Sequence, residues 1–178
     1  MADTQLPRYM IFQQHEPDEP FVHNGTVHAA DPEMALLTAR DVFSRRPRAV
    51  RMWAVPAEAI FSLTRQELEG KEWEDSKSGE TEKFHVFGKT YEQGQCEQLG
   101  EVTAGSHEEA MKAAVEEYAD EKVLWWWVFP AKAVASTEEE DSGSMFDPVL
   151  DKHYREQAQY PVVTMMRAIR GKGGEKDE

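Results

Sequence analysis

The feature that most constrains this chain is an internal repeat. Tyr9-Met10-Ile11-Phe12 aligns with Phe84-His85-Val86-Phe87, and the same offset of 75 sets Gly25-Thr26-Val27 on Gly100-Glu101-Val102. Asp31-Pro32-Glu33 falls on Ser106-His107-Glu108, and Ala35, Ala39 and Phe43 fall on Ala110, Ala114 and Tyr118. One deletion near Arg46 to Arg48 changes the offset to 74, and Trp53, Pro56 and Ile60 then match Trp127, Pro130 and Val134. The matched positions share structural jobs: a turn glycine, a helix cap, a small-small-aromatic stripe, a Trp followed by Pro. A repeat of this kind means one supersecondary unit used twice.

Each copy reads as β-β-α-β. Arg8 to Gln13 and Lys83 to Gly88 carry the aromatic and β-branched residues of first strands, and Gly25 to Ala30 and Gly100 to Ala104 read as second strands. Asp31 caps a helix, with Pro32 at its first position and Glu33 near the positive end of the dipole. Ser106 and Glu109 form the S-x-x-E capping pattern in the second copy. The helix stripe is Ala35, Ala39, Val42 and Phe43, matched by Ala110, Ala114 and Tyr118.

Third strands run from Ala49 to Val55 and from Val123 to Phe129. Side chains alternate across a strand, so Trp125, Trp127 and Phe129 share one face while Leu124, Trp126 and Val128 share the other. Apolar residues on both faces require cover on both sides. The unit's own helix is one cover; a neighbouring unit, a tail or another protein is the second. Small units bury too little surface to be comfortable alone. The expected fold is therefore α+β: two tandem β-β-α-β units forming a pseudo-dimer, with an irregular C-terminal arm. The expected segments are 1–66 for the first unit, 67–82 for an acidic linker, 83–135 for the second unit, and 136–178 for the arm and a disordered tail.

The chemistry that the sequence excludes is as informative. The formal net charge of -14 repels phosphate backbones and anionic lipid surfaces, so nucleic acid and membranes are expected to be absent from the partners. This also makes base stacking on aromatic strands, an RNA-binding reading, a poor fit. No apolar run approaches the roughly 20 residues of a membrane helix. No basic start followed by an apolar stretch marks a secretory signal. One cysteine, Cys96, precludes an internal disulfide and fits a reducing cytoplasm.

None of the six histidines stands in H-E-x-x-H, E-x-x-H or H-x-H spacing, and no histidine position is shared by the two copies. His23 and His28 are five apart, without the acidic residues a metal site needs nearby. Cys96 has neither a base nor an orienting group close in sequence. There is no Walker loop, G-x-G-x-x-G or G-x-S-x-G. The Arg45-Arg46-Pro47-Arg48 group reads as an anion site or as a charge complement to a helix C-terminus. No catalytic, cofactor-binding or metal-ligating residue is expected, and no cofactor.

Two stretches carry a specific resemblance. Val27-His28-Ala29-Ala30-Asp31, Met34-Ala35-Leu36, Ala39-Arg40-Asp41-Val42-Phe43, Arg45-Arg46 and Trp53-Ala54-Val55-Pro56 resemble the core of the PaaB family. Phe146-Asp147-Pro148, Asp151-Lys152, Tyr154-Arg155 and Tyr160 resemble its ending. Members are the small B subunit of bacterial phenylacetyl-CoA epoxidase, the ring-hydroxylating oxygenase of aerobic phenylacetate degradation. Unlike a single-unit member, this chain carries a second, divergent copy between the signature and the ending.

The resemblance implies a non-catalytic, iron-free accessory subunit that binds or bridges the di-iron catalytic and structural subunits, with homo-oligomerisation as a further expectation. It makes His28, Asp31, Arg40, Arg45, Arg46, Trp53, Asp151, Lys152, Tyr154 and Arg155 the candidate partner contacts. The first copy keeps the family signature and is expected to hold the partner contacts, with the second copy as its structural mate. The alternative is a stand-alone ferredoxin-like protein, a small-molecule binder or an enzyme, with tryptophans lining an aromatic-ligand pocket.

Overall fold

A computed structural model describes residues 6–44, 49–71, 73, 80–119, 122–138, 140–149, 162, 165–167 and 169. In chain order the elements are β1 (Arg8–Gln14), β2 (Val22–His28), α1 (Pro32–Phe43), β3 (Arg51–Pro56), β4 (Phe61–Thr64), α2 (Arg65–Glu69), β5 (Glu82–Lys89), β6 (Glu97–Ala104), α3 (His107–Glu117), β7 (Trp125–Pro130), β8 (Ala135–Ser136) and α4 (Ser142–Phe146). Single 3-10 turns at Ala57–Ala59 and Ala131–Ala133 follow β3 and β7. The protein is a mixed structure of helices and one antiparallel sheet.

Local signals explain most of these elements. Asp31 accepts a hydrogen bond from the Met34 N–H at 2.8 Å and starts α1, with Pro32 just inside it. Ser106 accepts from the Glu109 N–H at 3.2 Å and starts α3. The Glu109 carboxylate reaches back to the Gly105 N–H at 2.8 Å, one residue before the cap itself. The expected helix stripe holds at Ala35 and Ala39, which are fully buried, but Val42 is 56% exposed.

The eight strands run in the order β4-β7-β5-β6-β2-β1-β3-β8. Two antiparallel triplets, β2-β1-β3 and β6-β5-β7, meet at β2 and β6. That seam is short: Val22 opposes Glu97, the His23 N–H donates to the Cys96 carbonyl at 2.9 Å, and the Gln98 N–H donates to the Phe21 carbonyl at 2.8 Å.

The outer strands cross over. β4 follows β3 in the chain but pairs with β7, and β8 follows β7 but pairs with β3. In a flat sheet β3 and β4 would lie six strand spacings apart, about 29 Å. The five residue steps from Pro56 to Phe61 span at most about 18 Å. The same conflict holds between Pro130 and Ala135. The sheet must therefore curl until its two ends approach, and it does so around a common aromatic interior.

Alternation then sorts the side chains into three clusters. Tyr9, Ile11, Met52 and Ala54 face α1. Phe84, Val86, Trp126 and Val128 face α3. Phe12, Trp53, Val55, Phe87, Trp127 and Phe129 fill the inside of the curl, together with Phe21 and Cys96. Phe12 touches rings from the other triplet, with centroid distances of 4.5 Å to Phe87 and 5.3 Å to Phe129. The second cover that the strands require is thus the opposite half of the same chain.

The segments after the crossing strands also cross. Leu68 and Trp73, at the start of the stretch expected as a solvated linker, pack on the cluster under α3. Lys71 pairs with Glu108 at 2.8 Å. Met145 and Phe146, which have no counterpart in the first copy by sequence, pack on the cluster under α1. Phe146 is fully buried, worth about 2–3 kcal/mol in apolar transfer. The Ser142 hydroxyl donates to the Val50 carbonyl at 2.7 Å and fixes the same segment to the entry of β3.

Candidate interaction surface and interior cavity

The candidate partner-contact residues separate into three groups. His28, Asp31 and Arg40 lie on or beside α1. His28 is exposed, and its Nδ1 sits 2.8 Å from the Leu6 carbonyl oxygen. Asp31 is the α1 cap, and Arg40 lies 3.3 Å from the neighbouring Asp41 carboxylate. Trp53 is 8% exposed and belongs to the interior, where Phe21 stacks on it. Arg45, Arg46, Asp151, Lys152, Tyr154 and Arg155 lie outside the described residues.

The surface of α1 exposes Leu37, which the family signature does not include, beside Met34 and Val42, which it does. Met34 is 49% exposed, Leu37 40% and Val42 56%, so the outward side of this helix carries apolar residues among the exposed Glu33 and Asp41. At the offset of 75 the second copy places Glu109, Lys112 and Glu117 there. A solvated helix carries charges on its outer face; α3 does so at these three positions, where α1 has Met34, Leu37 and Val42. Comparing the two copies position by position is the sequence signal that reveals it. Val162, Met165, Met166 and Ile169 are helical and exposed.

The interior offers little for acid–base or nucleophilic work. Burial pushes the Cys96 thiol up to about 12, so it is not a thiolate at neutral pH. Burial also lowers His23 and His85 below their ordinary value, keeping both neutral. His85 Nδ1 is 3.2 Å from Glu101 but lacks hydrogen-bond geometry. Among the described residues no three His, Cys, Asp or Glu side chains gather to hold a metal ion. No helix among them is long and apolar enough to cross a membrane.

A cavity of about 460 Å³ lies beside Trp127, bounded by Met10, His23, Asn24, Cys96 and Trp125 among others. His23 meets Trp127 edge-on, with centroids 4.9 Å apart.

These features define an α+β protein with a curled antiparallel sheet, an aromatic interior and exposed apolar residues on α1. The chain belongs to the phenylacetic acid degradation B family, PaaB, whose family model matches it twice, over residues 5–79 and 80–167. It is similar to the B subunit of the 1,2-phenylacetyl-CoA epoxidase of Escherichia coli (strain K12), with 34% identity over 67 residues. That alignment covers 38% of this chain and 70% of the relative. No solved structure matches the chain.

Proposed function

We propose that this chain is a non-catalytic accessory component of a multicomponent phenylacetyl-CoA oxygenase in aerobic phenylacetate degradation, and that it binds or bridges the di-iron subunits of that complex. Family membership, with an epoxidase component as relative, supports the pathway and the complex. The double family match, the repeated order of elements and the reciprocal strand crossing support a fused pseudo-dimer, in which one chain takes the place of two single-unit proteins. In this reading the units are residues 1–66 and 83–135, the segment 67–82 joins them, and 136–178 forms the arm. The cytoplasm is the compartment of this reading.

The observation that carries the partner role is the outward face of α1. Met34, Leu37 and Val42 expose apolar surface where the other copy is charged, and large apolar side chains exposed among polar ones mark interaction sites. His28 and Arg40 lie beside this face and supply its polar rim, as interfaces commonly have. The occupant is another component of the oxygenase, carrying its own apolar patch.

Co-expression with a di-iron catalytic subunit and its structural partner tests the reading. The unsubstituted chain should co-purify with them. Leu37→Glu should abolish the complex and leave thermal unfolding unchanged, while Lys112→Glu on α3 should retain it. Failure of the unsubstituted chain to form a complex at micromolar concentration overturns the function; a complex that survives Leu37→Glu overturns the surface.

A further inference from the structure

The reciprocal crossing of β4 and β8 brings together residues that the sequence holds far apart. Val27 to Phe43 carries the family signature in the first copy, and Phe146-Asp147-Pro148 opens the family ending after the second. In the folded chain β8 pairs with β3, so the chain enters α4 on the α1 side of the molecule. Phe146 is fully buried in the cluster that α1 covers through Ala35, Leu36 and Ala39, and Met145 packs against it. The Ser142 hydroxyl donates to the Val50 carbonyl at 2.7 Å. Helix and arm therefore share one face of the sheet, with Asp147 and Pro148 exposed.

The other end is built differently. The crossing segment there is latched: the Lys71 ammonium pairs with Glu108 of α3 at 2.8 Å and lies over the rings of Phe61 and Trp73, at 5.3 and 5.5 Å. Leu68 and Trp73 pack on the cluster under α3. The outward positions of α3 are the charged Glu109, Lys112 and Glu117, all exposed. An apolar patch docked over them would strip their hydration and return no partner. Of α1 and α3, only α1 exposes large apolar side chains.

We propose that the partner surface of this chain is composite and single. α1 from the first copy and the α4 arm from the second form it together, the α3 end carries no equivalent, and one chain accepts one copy of its partner assembly. This rests on the role proposed above, with the catalytic and structural di-iron subunits together as the occupant. A symmetric pair of identical units presents the same surface twice; the divergence of α3 leaves it once. The second copy supplies the arm and the rings of Phe87 and Phe129 that meet Phe12, and gives up a docking face of its own.

The experiment is native mass spectrometry of the full chain co-expressed with the catalytic and structural subunits, with affinities from calorimetry on the purified components. One partner assembly per chain is expected, with no heavier species when that assembly is in excess. Asp147→Lys and Pro148→Arg, at exposed positions of the arm, should each weaken binding about tenfold or more and leave thermal unfolding unchanged. Glu117→Arg on α3 should bind as the unsubstituted chain does. Two assemblies on one chain, or lost affinity in Glu117→Arg, overturns the single surface. Full affinity in both arm variants overturns its composite build. Absence of any complex with the unsubstituted chain overturns the oxygenase role itself, and the single surface with it.

Discussion

Phe21 and Trp53 form a parallel stack, with centroids 3.7 Å apart, just where the first triplet meets the second. The stack is held from behind. The Gln14 side-chain amide donates to the carbonyls of Pro17 and Glu19, at 2.9 and 2.8 Å, and pins the loop that delivers Phe21. Removing the ring leaves a cavity in a closed interior. Phe21→Ala should cost about 3–5 kcal/mol in chemical denaturation, and Cys96→Ala less than about 1.5 kcal/mol.

Phe12 lies in β1 but contacts Phe87, Trp127 and Phe129 of the other half. A core shared in this way couples the halves. Phe12→Ala should lower the stability by about 3–5 kcal/mol within a single unfolding transition, and amide exchange should accelerate in β5 and β7 as well as in β1. Two separated calorimetric transitions would show that the halves unfold independently.

Gly25 and Gly100 sit under the terminal aromatic residues of their helices. A methyl group at Gly25 would lie 2.7 Å from the Phe43 ring, and its φ of +149° is strained for any other residue. At Gly100 a methyl group would meet the hydroxyl oxygen of Tyr118 and the ring carbon that bears it, the far end of a half-buried side chain that can swing outward, and the backbone there has no positive φ. Gly25→Ala should therefore cost about 2 kcal/mol or more, and Gly100→Ala less than about 1 kcal/mol. Urea midpoints of the two variants compare them directly.

Asp31 caps α1 through the Met34 N–H. Asp31→Ala should destabilise the chain by about 1 kcal/mol, and Asp31→Ser should restore most of it, because serine caps equally well. A variant that loses complex formation while Asp31→Ser regains stability but not binding would assign Asp31 a partner contact beyond its cap.

His23 and His85 both titrate below 6.5 in the folded chain, chiefly because burial disfavours their charged forms. Unfolding restores the ordinary value, so the unfolded chain binds more protons over the interval between 6.5 and the lower folded values. Stability then rises with pH across that interval. The contribution is fully present above 6.5 and is lost as pH falls through the folded values. Urea denaturation at pH 7.5 and pH 5 should show a fall for the unsubstituted chain, and a smaller fall for His23→Phe.

Much of the local structure is legible in the residues themselves. Asp31, Ser106 and the small residues of the helix stripes act over three or four residues, whereas Gly25 and Gly100, which read as turn glycines, lie inside β2 and β6 beside register shifts in their pairing. α2 also carries a legible signal: Thr64 and Glu67 form a reciprocal capping box that the T-x-x-E spacing advertises. The acidic residues after it dominate the local composition and mask that signal. The partner surface is only half legible. The family signature points to the α1 region, but the apolar outward face needs the helix's orientation against the sheet.

The sequence by itself determined the helix caps and the alternation of apolar residues along each strand, since both are set by neighbours in the chain. Only the tertiary structure decided that β4 pairs with β7 and β8 with β3, and hence that the sheet curls and encloses its own aromatic faces. Strands of four and two residues have no local stability of their own. Their partners are chosen by long-range hydrogen bonding and by what covers the apolar face, and neither is written in adjacent residues. The same holds for Trp53 and Trp127, which match in sequence and differ in their surroundings: one is closed over by Phe21, and the other is left facing a cavity.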